Sequence, residues 1–545
     1  MSVPLRIPNS IFLSLVAVLL AAMGALAFRA SSLEAQTFDE AVHIAAGYSY
    51  WKTGDYRLNQ EHPPLVKRLC ALPLVKRGLK FDTSSPNWQL PDQSGMGREF
   101  LYGNTRPADW ILQSARLPVI AMTLALGLLL ALWLRRRFGE IAALSALALY
   151  ALDPNFLAHG HYVTTDVAVT LFTFASAVAW LGWLERGRWW RLALAAVMLG
   201  CAMASKFSGV YVLPVHFVLL MAQAGRGRLA WRKAAVAFVA LVAGAVLVCG
   251  ASYGKHAFRV QHLAEHRYVS GLKELRQHNQ DGHRSYLLGK VNTRGDWAYF
   301  PVAFAVKTPE VTLAALLGAL LALPWLIRRH GALLWMVLLL YPALYLGLSM
   351  AGNINIGIRH LLPMYPFLYA LIAAAVERLP GRAARAAPVL ALAGMGAAQA
   401  AIYPDYLAYF NRFAGGPEGG ARYLLDSNVD WGQDVKKLKR FMDGRGIRFV
   451  QIAYFGMADL EAYGIRHGGV PGAEEPAEID KLDNWVVVSV TNLYDVYFDK
   501  PTFAWLRRFQ PVAKVGWSLY VYDLRQRTIP AGQRPLPPPP VSASP

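Results

Sequence analysis

The sequence predicts an all-α polytopic membrane bundle of about eleven transmembrane helices, followed by a small C-terminal extracytoplasmic α/β domain. Three observations predict it: only 17% of the 545 residues are charged, 55% are hydrophobic, and long apolar runs recur before about residue 400. A typical soluble domain carries about 25% charged residues. Three cysteines are too few for a disulfide framework, and the apolar content excludes a disordered chain.

Eleven apolar runs are close to the length of roughly 17–25 residues with which a helix crosses a bilayer. The first run is interpreted as a retained span, because no small-residue cleavage site precedes a soluble domain. The fifth run is the shortest and ends at Lys206. The runs are about 9–28, 113–134, 141–158, 166–184, 192–206, 208–224, 234–252, 310–327, 332–350, 361–377 and 387–403.

Basic residues in the short loops predict the orientation. Fifteen Lys and Arg residues lie in one set of loops, whereas the alternate short loops hold only Lys206 and Arg359. Basic loops remain in the cytoplasm, so the N-terminus is predicted inside and the C-terminal domain outside. Much of the net charge of +20 is therefore a topological signal, and nucleic-acid binding is not expected. The fifteen residues lie within 135–137, 186–191, 226–233, 328–329 and 378–385.

The predicted domains are a membrane module at 1–403, an α/β domain at 404–528 and a disordered Pro-rich tail at 529–545. The membrane module carries two long outer loops, at about 29–112 and 253–309. No internal repeat is evident, so a transporter built from repeated halves gains no support.

Two kinds of element are predicted in the C-terminal domain. An amphipathic helix is expected to begin at Asp430 and to run through Phe441. The apolar runs that begin at Trp485 and Trp517 are typical of strands.

An acidic pair, Asp39 and Glu40, follows the first span. Thr37 and Glu40 have the spacing of a capping box, which is a structural use. A capping box does not need Asp39, however, and paired acids at a membrane surface suit acid–base or metal chemistry. Both interpretations stay open.

The segment 61–67 (EHPPLVK) places His62 and Lys67 about one helical turn apart. Its two prolines fix an extended turn and can begin a helix, so both side chains could face one site. The alternative is an amphipathic helix on the membrane surface, with Lys67 reaching the headgroups.

Three further charged residues lie at the ends of predicted spans. Asp166 either caps the fourth span or shares the outer face with Asp39. Arg359 runs against the positive-inside trend, and its planar fork of donors suits a phosphate. Lys206 and Lys307 are weaker candidates, since each also ends or precedes a span.

The segment 426–434 (DSNVDWGQD) is dense in polar groups. Asp430 and Gln433 can form a capping box, while Trp431 beside amides and acids is an alternative sugar platform. The chain has no phosphate-binding Gly-rich loop ending in Lys-Ser/Thr, no Gly-x-Ser-x-Gly and no His-Glu-x-x-His. An ATP-driven pump, a serine hydrolase and a zinc protease are therefore not predicted.

Taken in order, four motifs resemble the polyprenyl-phosphate-dependent glycosyltransferases of the C fold type. They are DE at 39–40, HPPLxK at 62–67, TD at 165–166 and RHxxPxYP at 359–366. The protein O-mannosyltransferases and the lipid A aminoarabinose transferases are the most similar families. The resemblance covers roughly the first 400 residues, and the C-terminal part looks like that of uncharacterised bacterial members.

The resemblance implies a multi-pass enzyme of the bacterial inner membrane, with its active site in a cavity at the outer face. Such an enzyme moves a hexosyl or pentosyl group from a polyprenyl-phosphate sugar donor to an acceptor hydroxyl with inversion. The implied acceptor is a protein, lipid A or another glycolipid, and membrane lipids are the remaining partners.

The resemblance also implies roles for individual residues. Asp39 becomes the general base, with Glu40 and Asp166 as the other catalytic acids. A bound divalent metal ion would be held by Asp39 and Asp166, and no other cofactor is implied. Cations would oppose the charge on the departing donor phosphate, and they are Arg359, Lys67, His62 and Lys206.

Two other functions stay open from the residues alone. A multi-span transporter would hold ionisable groups near the middle of the membrane, in broken helices. A lipid-binding envelope assembly protein would depend on its C-terminal part and not on Asp39 or Asp166.

Overall fold

The computed structural model describes residues 7–254 and 266–525. Within these ranges, eight helices are long and apolar enough to cross a membrane, and a small sheet follows them. The chain is thus a multi-pass membrane protein, and the predicted class of a helical bundle with a small C-terminal α/β part is confirmed. The orientation across the membrane and the predicted domain boundaries stay predictions, and the tail at 529–545 lies outside the described residues.

Every predicted span contains a helix. The helices up to residue 254 are α1 (Asn9–Leu33), α2 (Glu40–Lys52), α3 (Leu65–Ala71), α4 (Pro86–Gln89), α5 (Gln93–Tyr102), α6 (Ala108–Phe138), α7 (Glu140–Ala151), α8 (Pro154–His159), α9 (Asp166–Arg186), α10 (Trp189–Ser205), α11 (Val212–Gly225) and α12 (Trp231–Ala251). The later helices are α13 (Arg267–Asp281), α14 (Tyr299–Lys307), α15 (Glu310–His330), α16 (Ala332–Met350), α17 (Tyr365–Val376), α18 (Gly381–Ala400), α19 (Gly416–Gly420), α20 (Val435–Gly444), α21 (Pro476–Asp480) and α22 (Val490–Leu493). Short 3₁₀ segments, Phe207–Tyr211 and Ile358–Met364, lead into α11 and α17.

The third predicted span consists of two helices, because the helix is interrupted at Leu152 and Asp153. The Asp153 carboxylate accepts a hydrogen bond from the Asn155 backbone N–H at 2.8 Å, and Pro154 occupies the first position of α8. Both features begin a new helix.

The helix directions bring one set of helix ends together. Helices α6 and α9 end on the same side, where Arg137 and Glu185 form an ion pair at 2.5 Å. The start of α9 therefore lies at the opposite end, beside the end of α10, since α9 and α10 are antiparallel neighbours joined by a short turn. This second end carries the charged residues described below.

The C-terminal part is built on a five-stranded mixed sheet in the order β4-β3-β5-β7-β6. Strands β3 and β5 are parallel, whereas β7 is antiparallel to both β5 and β6. A separate hairpin, β1 and β2, lies in the long loop between α12 and α14. The strands are β1 (Ser285–Leu287), β2 (Lys290–Asn292), β3 (Val450–Ala453), β4 (His467–Gly468), β5 (Trp485–Ser489), β6 (Ala513–Val515) and β7 (Leu519–Asp523).

The amphipathic helix begins at Val435, not at Asp430 as the sequence predicted. Gly432 adopts a positive φ of 87°, and the Gln433 side chain accepts a hydrogen bond from the Trp431 backbone N–H at 2.8 Å. Residues 430–434 therefore form an irregular segment, which packs against the loop between α1 and α2.

Candidate active site

Four charged side chains from four helix ends meet in one place, and we call them the charged cluster: Asp39, Asp166, Lys206 and Arg359. Lys206 Nζ lies 2.7 Å from Asp166 Oδ1. Arg359 Nη1 lies 3.4 Å from Asp39 Oδ2 and 3.8 Å from Asp166 Oδ2. The structure therefore brings together two of the three acids and two of the four cations selected from the sequence.

The members of the charged cluster differ in exposure. The Asp39 side chain is 28% exposed, whereas that of Asp166 is 1% exposed. Asp39 is thus the carboxylate that a solute can reach, and Asp166 lies behind it with both cations.

Several buried polar atoms around the charged cluster have no hydrogen-bond partner within the described part of the chain. They include Asp166 Oδ2, Arg359 Nε, His62 Nδ1 and His159 Nδ1. Buried polar groups in native proteins are almost always satisfied, so a concentration of unsatisfied atoms needs an explanation. Water or a polar ligand would supply the missing partners.

Two histidines lie near the charged cluster, His43 by Asp39 and His62 by Lys206 and Asp166. The His43 ring is 5.4 Å from the His62 ring, in an edge-to-face arrangement, and His43 Nδ1 is 2.7 Å from the Val163 carbonyl oxygen. Burial lowers the pKa of His62 well below its usual value, and the charges of His43, Lys206 and Lys67 lower it further. The lowered pKa favours the neutral imidazole, which can offer or accept a hydrogen bond.

The segment 426–434 contacts Arg359 and the backbone of the residue before it. The Arg359 guanidinium lies 4.2 Å from the centre of the Trp431 ring, which is a cation–π distance. The Asn428 side chain accepts a hydrogen bond from the Ile358 backbone N–H at 3.0 Å. Trp431 is only 2% exposed, so its alternative interpretation as an open sugar platform is wrong.

A second group of charges, which we call the supporting cluster, holds the loop that carries Asp39. It consists of Arg116 and Glu40, whose bidentate ion pair has contacts of 2.8 and 2.6 Å. Arg116 also donates to the carbonyls of Ser31 at 2.6 Å and Ala35 at 2.8 Å. The loop is thus held by hydrogen bonds to one buried guanidinium, that of Arg116.

Glu40 is fully occupied within the supporting cluster. Besides Arg116, its carboxylate accepts hydrogen bonds from the backbone N–H groups of Thr37 at 2.8 Å and Val163 at 2.9 Å. Burial raises the pKa of Glu40, but Arg116 and these N–H groups more than offset the effect, so that the pKa is lowered overall. The geometry disagrees with a catalytic role for Glu40 and favours its structural use.

The segment 426–434 also forms backbone hydrogen bonds with the loop that carries Asp39. The backbone N–H groups of Ala35 and Phe38 donate to the carbonyls of Gln433 at 2.8 Å and Trp431 at 2.9 Å. The segment 426–434 therefore touches both the Asp39 loop and the turn that carries Arg359.

Lys67 does not join the charged cluster. Its ammonium donates to the Asn59 backbone oxygen at 2.5 Å, the Asn59 side-chain oxygen at 3.0 Å and the His62 carbonyl at 2.7 Å. Three acceptors use all three of its donors. The phosphate-binding role predicted for Lys67 therefore conflicts with the geometry, and Lys307 is similar, since it donates to two backbone carbonyls.

The metal site implied for Asp39 and Asp166 does not fit the donor set. In residues 7–254 and 266–525, no group of three or more His, Cys, Asp or Glu side chains is arranged to hold a metal ion. The two carboxylates are instead bridged by the Arg359 guanidinium.

Sequence reasoning missed Arg116 and the packing of Trp431 against Arg359. Arg116 had a readable signal, because it is a charged residue inside an apolar run, where such residues are rare and have a partner. Trp431 had none, since its position under Arg359 depends on two segments that are far apart in the chain.

Comparison with known proteins finds one matching family model and several similar solved structures. The family model described as dolichyl-phosphate-mannose-protein mannosyltransferase matches residues 111–250. No curated protein sequence matches the chain.

Two solved structures are similar in outline. ArnT from Cupriavidus metallidurans, bound to undecaprenyl phosphate, is 13% identical with a TM-score of 0.47, and the match covers 94% of this chain and 98% of that one. The archaeal oligosaccharyltransferase AglB from Archaeoglobus fulgidus is 12% identical with a TM-score of 0.47, covering 96% and 75%. Through the family match at 111–250, the predicted resemblance to polyprenyl-phosphate-dependent glycosyltransferases of the C fold type is confirmed.

Proposed function

We propose that this protein moves a hexosyl or pentosyl group from a polyprenyl-phosphate donor to an acceptor hydroxyl, with inversion at the anomeric carbon. The charged cluster carries the proposal, because one guanidinium lies 3.4 and 3.8 Å from two carboxylates that arrive from separate segments. The family match at 111–250 supports the same class of reaction.

In the proposed mechanism Asp39 is the general base. Its carboxylate is partly exposed, and the single side-chain contact described for it is the 3.4 Å approach of Arg359. It takes the proton of the acceptor hydroxyl while the hydroxyl oxygen attacks the anomeric carbon. The bond from that carbon to the phosphate oxygen breaks, and its electron pair leaves with the phosphate. A positioned base typically contributes about 10²–10⁴-fold.

Arg359 and Lys206 are the proposed partners of the departing phosphate. Both cations are positioned before the reaction, Arg359 by the Trp431 ring and Lys206 by Asp166. Preorganised cations are effective because they need not reorient as charge develops. His62 is the third proposed partner, through its Nδ1, which has no hydrogen-bond partner in the part of the chain that the structure describes.

We propose that the site opens to the extracytoplasmic face of a bacterial inner membrane, with the N-terminus in the cytoplasm. The basic loops support this orientation. A sugar already activated on a lipid phosphate suits this face, because the reaction needs no nucleotide there. The acceptor would be a protein, lipid A or another glycolipid.

A transporter is the less favoured alternative, since the charged cluster lies at helix ends and not within helices. The titratable His216 does lie within a predicted span, but its ring contacts Ser176 Oγ at 3.1 Å and Tyr341 Oη at 2.8 Å. It is a satisfied core histidine rather than a free ion ligand.

Mass spectrometry of membrane glycolipids and glycoproteins, with and without the gene, tests the proposed function. We expect one sugar to be lost from one fraction, and restored by the wild-type gene but not by Asp166→Asn. Unchanged spectra, together with normal turnover of purified Asp166→Asn on a polyprenyl-phosphate sugar, would contradict the proposal.

A further inference from the structure

The C-terminal sheet has a strand order of the kind at which ligands bind. From β3 the chain turns to β4 on one side of β3 and then to β5 on its other side. In open α/β sheets, ligands bind outside the carboxyl ends of strands at such a reversal of strand order. The carboxyl ends of β3 and β5 therefore define a candidate binding position, separate from the charged cluster.

Three aromatic rings connect this position to Asp39. Phe455 follows β3 and Tyr497 follows β5, and their rings are stacked with centroids 5.3 Å apart and planes 7° apart. Phe38 stacks on Phe455 at 5.6 Å and 30°. Phe38 immediately precedes Asp39 and is 38% exposed, so the stack of rings ends beside the proposed base.

A chain of polar groups runs along the same position. The Tyr497 hydroxyl donates to the Asp426 carboxylate, and His283 Nε2 lies 3.1 Å from the Tyr497 oxygen. His278 Nε2 lies a further 3.0 Å from His283 Nδ1. These groups come from the second outer loop and from the C-terminal part, and they include donors and acceptors.

Asp426 is held in an unusual backbone conformation, with a φ of +56°. A non-glycine residue in this region is strained, and such strain is found mainly at functional sites. The pKa of Asp426 is raised overall to about 6, because burial outweighs the hydrogen bonds from Tyr497 and the Ser427 backbone. The charge of Arg359 lowers this pKa, and that of Asp39 raises it. Asp426 therefore lies within electrostatic reach of the charged cluster.

We propose that Phe38, Phe455, Tyr497, Asp426 and His283 form the acceptor subsite, which we call the acceptor crevice, and that it binds a sugar ring. The acceptor would then be a saccharide hydroxyl, and this inference rests on the proposed function. A sugar presents an apolar C–H face to an aromatic ring and hydroxyl groups to carboxylate, phenol and imidazole.

A peptide acceptor fits the acceptor crevice less well. Extended peptides are commonly bound by free main-chain groups at a sheet edge. Strands β3 and β5 are interior strands that already pair with each other, and the edges are β4 and β6. The crevice thus offers rings and polar side chains more than backbone groups.

Saturation-transfer NMR on the full-length protein in lipid nanodiscs tests this, with methyl glycosides and a Ser/Thr-containing peptide as probes. We expect at least one methyl glycoside to bind, and Phe38→Leu to weaken it about tenfold or more. Tyr497→Phe, which retains the ring, should weaken it less. The control is Phe413→Leu, since Phe413 is 76% exposed elsewhere on the surface, and it should leave binding unchanged.

The acceptor crevice is refuted if no methyl glycoside binds the wild-type protein, if Phe38→Leu binds normally, or if the peptide alone binds and depends on Phe38. Undecaprenyl phosphate binding, measured on the same samples, separates this failure from failure of the proposed function. If the lipid binds and Arg359→Lys weakens that binding, but no glycoside binds, the proposed function is retained and the acceptor crevice is refuted. If a glycoside binds but undecaprenyl phosphate does not, the proposed function is refuted.

Discussion

The charged cluster and the supporting cluster both place charges in buried surroundings, yet only the supporting cluster has complete hydrogen bonding. In the supporting cluster, both oxygens of Glu40 accept hydrogen bonds from Arg116 and from backbone N–H groups. In the charged cluster, Asp166 Oδ2 and Arg359 Nε are buried with no hydrogen-bond partner among the described residues, and Asp39 is partly exposed. Two adjacent acids, Asp39 and Glu40, therefore lie in opposite environments.

The difference teaches how to separate structural from reactive charges. A buried ion pair with complete hydrogen bonding holds its surroundings in one conformation, and losing one partner is costly. An incomplete cluster has capacity left for a ligand. Breaking each cluster should consequently change different measured quantities.

Asp39→Asn should produce the largest loss of activity. The amide cannot accept the proton of the acceptor hydroxyl, so we expect kcat to fall about 10²–10⁴-fold. Because Asp39 is partly exposed and weakly held, the thermal unfolding temperature should remain within about a degree or two, as is usual for surface changes. Radiolabel transfer from a polyprenyl-phosphate sugar measures the first quantity and a melting curve the second.

Asp82→Asn is the matched control for this prediction, since Asp82 is an exposed acid of the same outer loop, bonded to Ser84. It should turn over normally. An Asp39→Asn protein with wild-type kcat would remove Asp39 from the mechanism.

Arg116→Met should chiefly destabilise the fold. It leaves the Glu40 carboxylate buried without its counter-ion, which typically costs about 3–5 kcal/mol. The double variant Arg116→Met, Glu40→Leu should recover part of the loss, because no lone charge is then buried. Arg98→Met, which breaks an exposed pair with Asp459, is the control and should change stability by less than about 1 kcal/mol. Equal stability of the Arg116 and Arg98 variants would show that the supporting cluster is not structural.

Arg359→Lys should weaken donor use more than acceptor use. A lysine keeps the charge but loses the planar fork and the stacking on Trp431. With about 1.5–3 kcal/mol for a hydrogen bond to a charged group, we expect the donor KM to rise roughly ten- to a hundredfold. Steady-state kinetics with each substrate varied in turn measures the split. A change confined to the acceptor KM would contradict the assignment.

The sequence predicted the bundle well because apolar runs are local signals, and each predicted span contains a helix. It also selected Asp39, Asp166, Lys206 and Arg359, which the structure places together. It could not separate Asp39 from Glu40, since the difference depends on Arg116, 76 residues further along the chain. The role of Trp431 was hidden for the same reason.

Lys67→Met should have the smallest effect on the reaction. Because the Lys67 ammonium is occupied by Asn59 and the His62 carbonyl, we expect the donor KM to change by less than about threefold. Stability should fall by about 1–3 kcal/mol, since the carbonyls lose their donor. Lys206→Met is the matched comparison: its ammonium is partly exposed beside Asp166, so its loss should raise the donor KM further. If Lys67→Met instead raised the donor KM as much as Lys206→Met, hydrogen-bond occupancy would no longer separate structural from phosphate-binding cations in this site.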